Sequence, residues 1–139
     1  MQETQMTAVP GHHALTALDP QRTARLFQPL RVGGLSLKNR IIMSPMTRTM
    51  APAGVPGDAN ALYYRKRAAG GAGLIITEGT WVPHDAAANE VDVPRMYGMD
   101  ALAGWKKVVD AVHAEGTPIL AQLWRPRHAG RSRLGQQGS

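Results

Sequence analysis

The chain has no cysteine, so disulfides, thiolate nucleophiles and cysteine-based metal sites are excluded. A reducing compartment fits that absence, and the expected location is cytoplasmic. Aromatic residues are scarce, with one Phe, three Tyr and three Trp. The chain therefore lacks the basic groove interleaved with rings that binds single-stranded nucleic acid. No apolar run approaches the ~18 residues of a membrane helix. The opening stretch also lacks the unbroken apolar core, ~7 residues or more, of a secretory leader. Neither phosphate-cradling pattern, GxGxxG after a strand or GxxxxGK[ST], occurs. His12, His13, His84, His113 and His128 are dispersed, without metal-ligand spacing such as HExxH.

Acidic residues are missing from one place, the last fifteen residues, which hold Arg125, Arg127, Arg131 and Arg133. Taking those four from the net charge of +6 leaves about +2 for the rest, an ordinary balance. The excess charge thus describes a solvated end better than a nucleic-acid interface, and no nucleic-acid partner and no membrane are expected. A basic-tailed nucleic-acid binder would show affinity that falls steeply with salt.

What is present is a globular interior. The apolar fraction is 43%, near the average for folded domains. After a flexible lead, residues 1–25, Val32 and Leu35–Leu37 flank Gly33-Gly34, which predicts a tight hairpin. Arg40–Ser44 is a short apolar strand ended by Pro45. Asp58 is placed to cap a helix over Ala59–Ala69, closed by Gly70-Gly71. Gly73–Thr77 predicts a second strand ended by Glu78-Gly79, and a long loop follows. Asp100 is placed to cap a helix whose Trp105, Val108, Val109 and Val112 share one face. Gly116 and Pro118 close it, and Ile119–Leu123 predicts a third strand. Apolar strands alternating with helices indicate an α/β fold on a parallel sheet.

In such folds functional groups gather at the carboxyl ends of the strands. Three polar clusters sit there: Pro45-Met46-Thr47-Arg48, Thr77-Glu78-Gly79-Thr80, and Gln122 with Trp124. They suit a flat heterocycle with donors and acceptors on its edge. Each also has a plainer reading. Thr47 can satisfy loop backbone, Gln122 can be an ordinary strand-end polar group, Trp124 can be core, and Glu78 can be an ion-pair partner.

The stretches LFQPLRVGGLSLKNRIIMSPMTR, YYRKRAAGGAGLIITEGTWV, GWKKVVDAVHAEG and ILAQLW occur in series. Together, from Leu26 to Trp124, they resemble the first third of an Old Yellow Enzyme family member. That group comprises FMN-dependent ene-reductases of the NADH:flavin oxidoreductase type. The resemblance implies a (β/α)8 barrel, here present as a hairpin plug and about three βα units over residues 26–124. It implies that Pro45, Met46 and Thr47 lie against FMN, with the Thr47 hydroxyl near the flavin O4. Gly79 would present its backbone to the same side, Gln122 would bind the pyrimidine edge, and Trp124 would border the substrate pocket. The implied reaction carries hydride from NAD(P)H, by way of FMN, to the β-carbon of an activated alkene.

The chain departs from that pattern after Trp124. The family continues with His-x-Gly-Arg. Here Arg125-Pro126-Arg127 intervenes, and His128-Ala-Gly-Arg131 comes three places late. The family's His-x-x-Asn or His-x-x-His pair, tyrosine proton donor and phosphate-clamping arginines have no counterpart, so no catalytic residue is assigned. A barrel takes roughly 250 residues, rarely under about 200. The expectation is an N-terminal fragment inactive on its own, with residues 125–139 a basic tail, disordered or out of frame. The alternative is a non-catalytic fragment, or a half-barrel that binds a partner, a second copy or a complementing fragment.

Overall fold

The computed structural model describes residues 20–83 and 92–124. The first nineteen residues, His84 and the basic end from Arg125 onward lie outside the described residues. The chain enters through a short helix, α1 (Pro20–Ala24), and a 3-10 turn over Arg25–Phe27, starting inside the stretch assigned to the lead. Next come β1 (Leu30–Val32) and β2 (Leu35–Leu37), which pair antiparallel with Val32 opposite Leu35. Gly33 takes φ 56 at the turn, a conformation that favours glycine.

Three parallel strands follow: β3 (Ile42–Met43), β4 (Leu74–Trp81) and β5 (Ile119–Trp124). They lie in the order β3-β4-β5. The strands alternate with α2 (Asp58–Ala69) and α3 (Met99–His113), as the apolar pattern predicts.

The boundaries differ from expectation in four places, each for a visible reason. β3 is shorter than Arg40–Ser44 because the donors ahead of it are engaged elsewhere. Arg40 N–H goes to the Leu26 carbonyl and Ile41 N–H to Asn39 Oδ1. β4 runs past Glu78-Gly79 to Trp81, because its polar side chains are satisfied internally. Gly57, not Asp58, precedes α2, and its N–H donates to Asn60 Oδ1 at 3.0 Å. Asp58 instead pairs with Lys107 at 2.9 Å. Gly98, not Asp100, precedes α3, turning with φ 82, while the Asp100 carboxylate pairs with Arg95.

The core lies where α2 and α3 cover the sheet. Tyr64, Ala68, Ile75, Trp105, Val108 and Val112 are buried together; Val109, on the same predicted face, is half-buried. Each large apolar side chain removed from water contributes about 1.5–3 kcal/mol. The outer strands keep open edges among the described residues, and Ile42, Leu120 and Leu123 are 47%, 43% and 57% exposed.

The amino end of the sheet is closely stitched. Lys38 Nζ donates to the Ala68 carbonyl, the Glu115 carbonyl and Thr117 Oγ1. It thereby places a cation at the last turn of α2 and just past the end of α3. Asn39 Nδ2 donates to the Gly71 carbonyl, and Thr117 Oγ1 to the Ala72 carbonyl.

Candidate functional site

At the carboxyl end, the chain leaving β3 is tied down by a buried ion pair. Arg48 donates its backbone N–H to Glu78 Oε2 at 3.2 Å and a guanidinium N–H to Oε1 at 2.6 Å. The Glu78 side chain is 0% exposed. The Tyr64 hydroxyl, from α2, donates to Glu78 Oε1 at 3.2 Å and accepts the Glu78 N–H at 2.9 Å. The Arg48 guanidinium also lies over the Tyr63 ring, 3.6 Å from its centroid, a favourable stack for a cation. Burial, reinforced by the neighbouring Glu78 charge, pushes the Tyr64 hydroxyl above the usual phenol range. It therefore stays a hydrogen-bond donor.

The plainer reading of Glu78, as an ion-pair partner, thus holds. Arg48 stands in the first polar cluster, but Tyr64 was missed. The signal that points to a buried partner is a carboxylate inside an apolar strand, which demands hydrogen bonds.

The tether brings the expected site residues toward one another. Thr47 directly precedes Arg48, and Gly79 directly follows Glu78. Gly79 is opposite Gln122 across the β4–β5 ladder, and Trp81 is opposite Trp124. Two threonines hold the Gln122 backbone. Its N–H donates to Thr77 Oγ1 at 3.1 Å, and Thr80 Oγ1 donates to its carbonyl at 3.0 Å. The space in front of Gly79 is taken by the Trp124 indole, into which a Cβ would run. Trp124 also meets Trp81 edge-on, with ring centroids 5.5 Å apart.

What remains open is of one kind. Met46 is 61% exposed, Thr47 is exposed, and Pro45, Gln122 and Trp124 are half-buried. Among the described residues, neither the Thr47 hydroxyl nor the Gln122 side-chain amide makes a hydrogen bond, and the bonds at Gln122 are to its backbone. A hydroxyl and an amide without partners among the described residues, at the same end of the sheet as exposed Met46 and half-buried Trp124, fit a flat, edge-polar heterocycle such as a flavin. Among the described residues no cluster of histidine and carboxylate side chains is placed to hold a metal, and no helix is long and apolar enough to cross a membrane.

Residues 25–138 match the NADH:flavin oxidoreductase / NADH oxidase family. The chain belongs to that family. The match continues past Trp124 into the basic end. Among curated relatives, 12-oxophytodienoate reductase 7 of Oryza sativa is 45% identical over 112 residues, 81% of this chain and 27% of the relative. The flavin oxidoreductase hxnT of Emericella nidulans is 40% identical over 124 residues, 86% of this chain and 29% of the relative. Among solved structures, morphinone reductase in complex with tetrahydroNAD superposes with a TM-score of 0.66 at 48% identity. That match covers 71% of this chain and 26% of morphinone reductase. The chain thus spans roughly a quarter to three-tenths of the length of these relatives. Family membership bears out the resemblance carried by the four sequence stretches, and the family's cofactors are FMN with NAD(P)H as reductant.

Proposed function

We propose that this chain contributes one wall of an FMN site in an ene-reductase, and that β3, β4 and β5 are the first three strands of a (β/α)8 barrel with β1–β2 as its plug. In this reading Pro45 and Met46 form an apolar shelf against the ring. Thr47 donates its hydroxyl near O4, and Gln122 offers its amide to the pyrimidine edge. Trp124, laid against Gly79, borders the space above. FMN, when bound, supplies the redox chemistry, accepting hydride from NAD(P)H and delivering it to an activated alkene. The residues of this chain bind, orient and tune. Tyr64 is engaged with Glu78 and takes no part as a proton donor.

The observation that carries the reading is that, at the carboxyl end of the sheet, the Thr47 hydroxyl and the Gln122 amide have no hydrogen-bond partner among the described residues, and Met46 is exposed. It is tested by adding FMN to the purified chain and passing the mixture through a desalting column. Flavin absorbance is expected to travel with the protein. A colourless protein peak would sink the reading.

The exposed apolar side chains on β3 and β5 favour a second reading, in which the open sheet pairs with a partner segment. A colourless peak that elutes larger than one chain would support it.

A further inference from the structure

The segment carrying Pro45, Met46 and Thr47 has little of its own to hold it. β3 ends at Met43, and proline has no N–H to give. Past Pro45, the first group tied to another element among the described residues is Arg48. Its two bonds run to the two oxygens of one carboxylate, so they restrict direction as well as distance. Glu78 is in turn held by Tyr64 from α2. Replacing a buried ion pair by well-packed apolar side chains is often neutral or stabilising, so stability alone does not account for this one. What the ion pair adds is orientation.

From this geometry we infer that Arg48, Glu78 and Tyr64 are positioning residues. They hold the Thr47 shelf at one height over the strand ends, so that the Thr47 hydroxyl and the Gln122 amide meet one planar ligand together. The inference rests on the flavin reading above. It adds that affinity for the ring depends on three side chains that need not touch it.

The test compares the full chain with R48M/E78L, which replaces the pair by apolar side chains, with T47A, and with the triple variant. Hydrogen exchange is read at each amide, and FMN is titrated by its fluorescence. In R48M/E78L, exchange at the amide of position 48, whose acceptor is removed, is expected to rise about tenfold or more while α2 and α3 stay protected. FMN binding is expected to weaken about tenfold, the worth of one hydrogen bond. Because the clamp acts through Thr47, the triple variant is expected to bind within about twofold of R48M/E78L. Losses that multiply would overturn the inference, as would unchanged exchange or unchanged FMN affinity in R48M/E78L. If R48M/E78L loses protection throughout, Y64F is read in its place. It keeps the ring and the ion pair, and an effect of about threefold is expected on both measurements. A wild-type chain that takes up no FMN defeats the flavin reading and the clamp's role toward it, whereas normal uptake with an indifferent R48M/E78L defeats the clamp alone.

Discussion

The two ends of the parallel sheet use their polar residues in opposite ways. At the amino end, Lys38, Asn39 and Thr117 direct side-chain donors to helix-end carbonyls and to one another. At the carboxyl end, buried Glu78 is held by Arg48 and Tyr64, yet the side-chain groups of Thr47, next to Arg48, and Gln122, opposite Gly79, have no hydrogen-bond partner among the described residues. On the flavin reading proposed above, the contrast separates polar groups that hold the fold from polar groups held ready for a ligand, and the clamp belongs to the first kind and serves the second.

The largest effect expected is on the clamp itself. Glu78→Ala leaves the Arg48 guanidinium buried without its partner, and a loss of about 3–5 kcal/mol in urea unfolding is expected. A loss below about 1 kcal/mol would mean that the pair is solvated and that the carboxyl end has no rigid support.

At the amino end, Thr117→Val removes an acceptor from Lys38 and leaves the Ala72 carbonyl unpaired. A cost of about 1–3 kcal/mol is expected, with FMN affinity unchanged. A change in flavin affinity would break the division between the two ends.

Tyr64 gives a pH test of intermediate size. Its hydroxyl holds its proton in the fold beyond the range where a free tyrosine, of pKa about 10, loses it. The stability it contributes is full below pH ~10 and is lost as the pH rises beyond it, because only the unfolded chain then releases the proton. Between pH ~10 and ~11 the unfolding free energy should fall by about 1 kcal/mol more in the wild type than in Tyr64→Phe. Parallel profiles would show that the hydroxyl is open to water.

The smallest effect on stability, and the sharpest on binding, is expected at the open groups. Thr47→Ala and Gln122→Ala should each change stability by no more than about 0.5 kcal/mol. Each should weaken FMN binding about tenfold, as measured by fluorescence titration. A large stability loss would move these residues into the structural class.

Much of this was legible in the residues. The order of hairpin, strands and helices follows from apolar periodicity, and Trp105, Val108 and Val112 are buried as their spacing demands. The site clusters could be found because parallel strands carry their function at the carboxyl ends. The two misread helix starts have one cause. Asp58 and Asp100 look like caps, but each carboxylate found a cation on another segment, leaving glycine at the cap. Glu78 looked like the end of a strand because a charge inside a sheet is costly unless paired. Its partners lie 30 and 14 residues earlier in the chain.

The family, the α/β class and the polar groups that stand at the strand ends can be read from the residues alone, since these depend on local pattern and motif. Which of those groups are consumed and which remain open is set by the packing of distant segments. That packing puts the Trp124 ring against Gly79 and Arg48 on Glu78, and among the described residues it leaves the Thr47 and Gln122 side chains without hydrogen-bond partners. Whether a hydrogen-bonding group is satisfied depends on what the fold brings within about 3 Å of it, and neighbours along the chain do not supply that information.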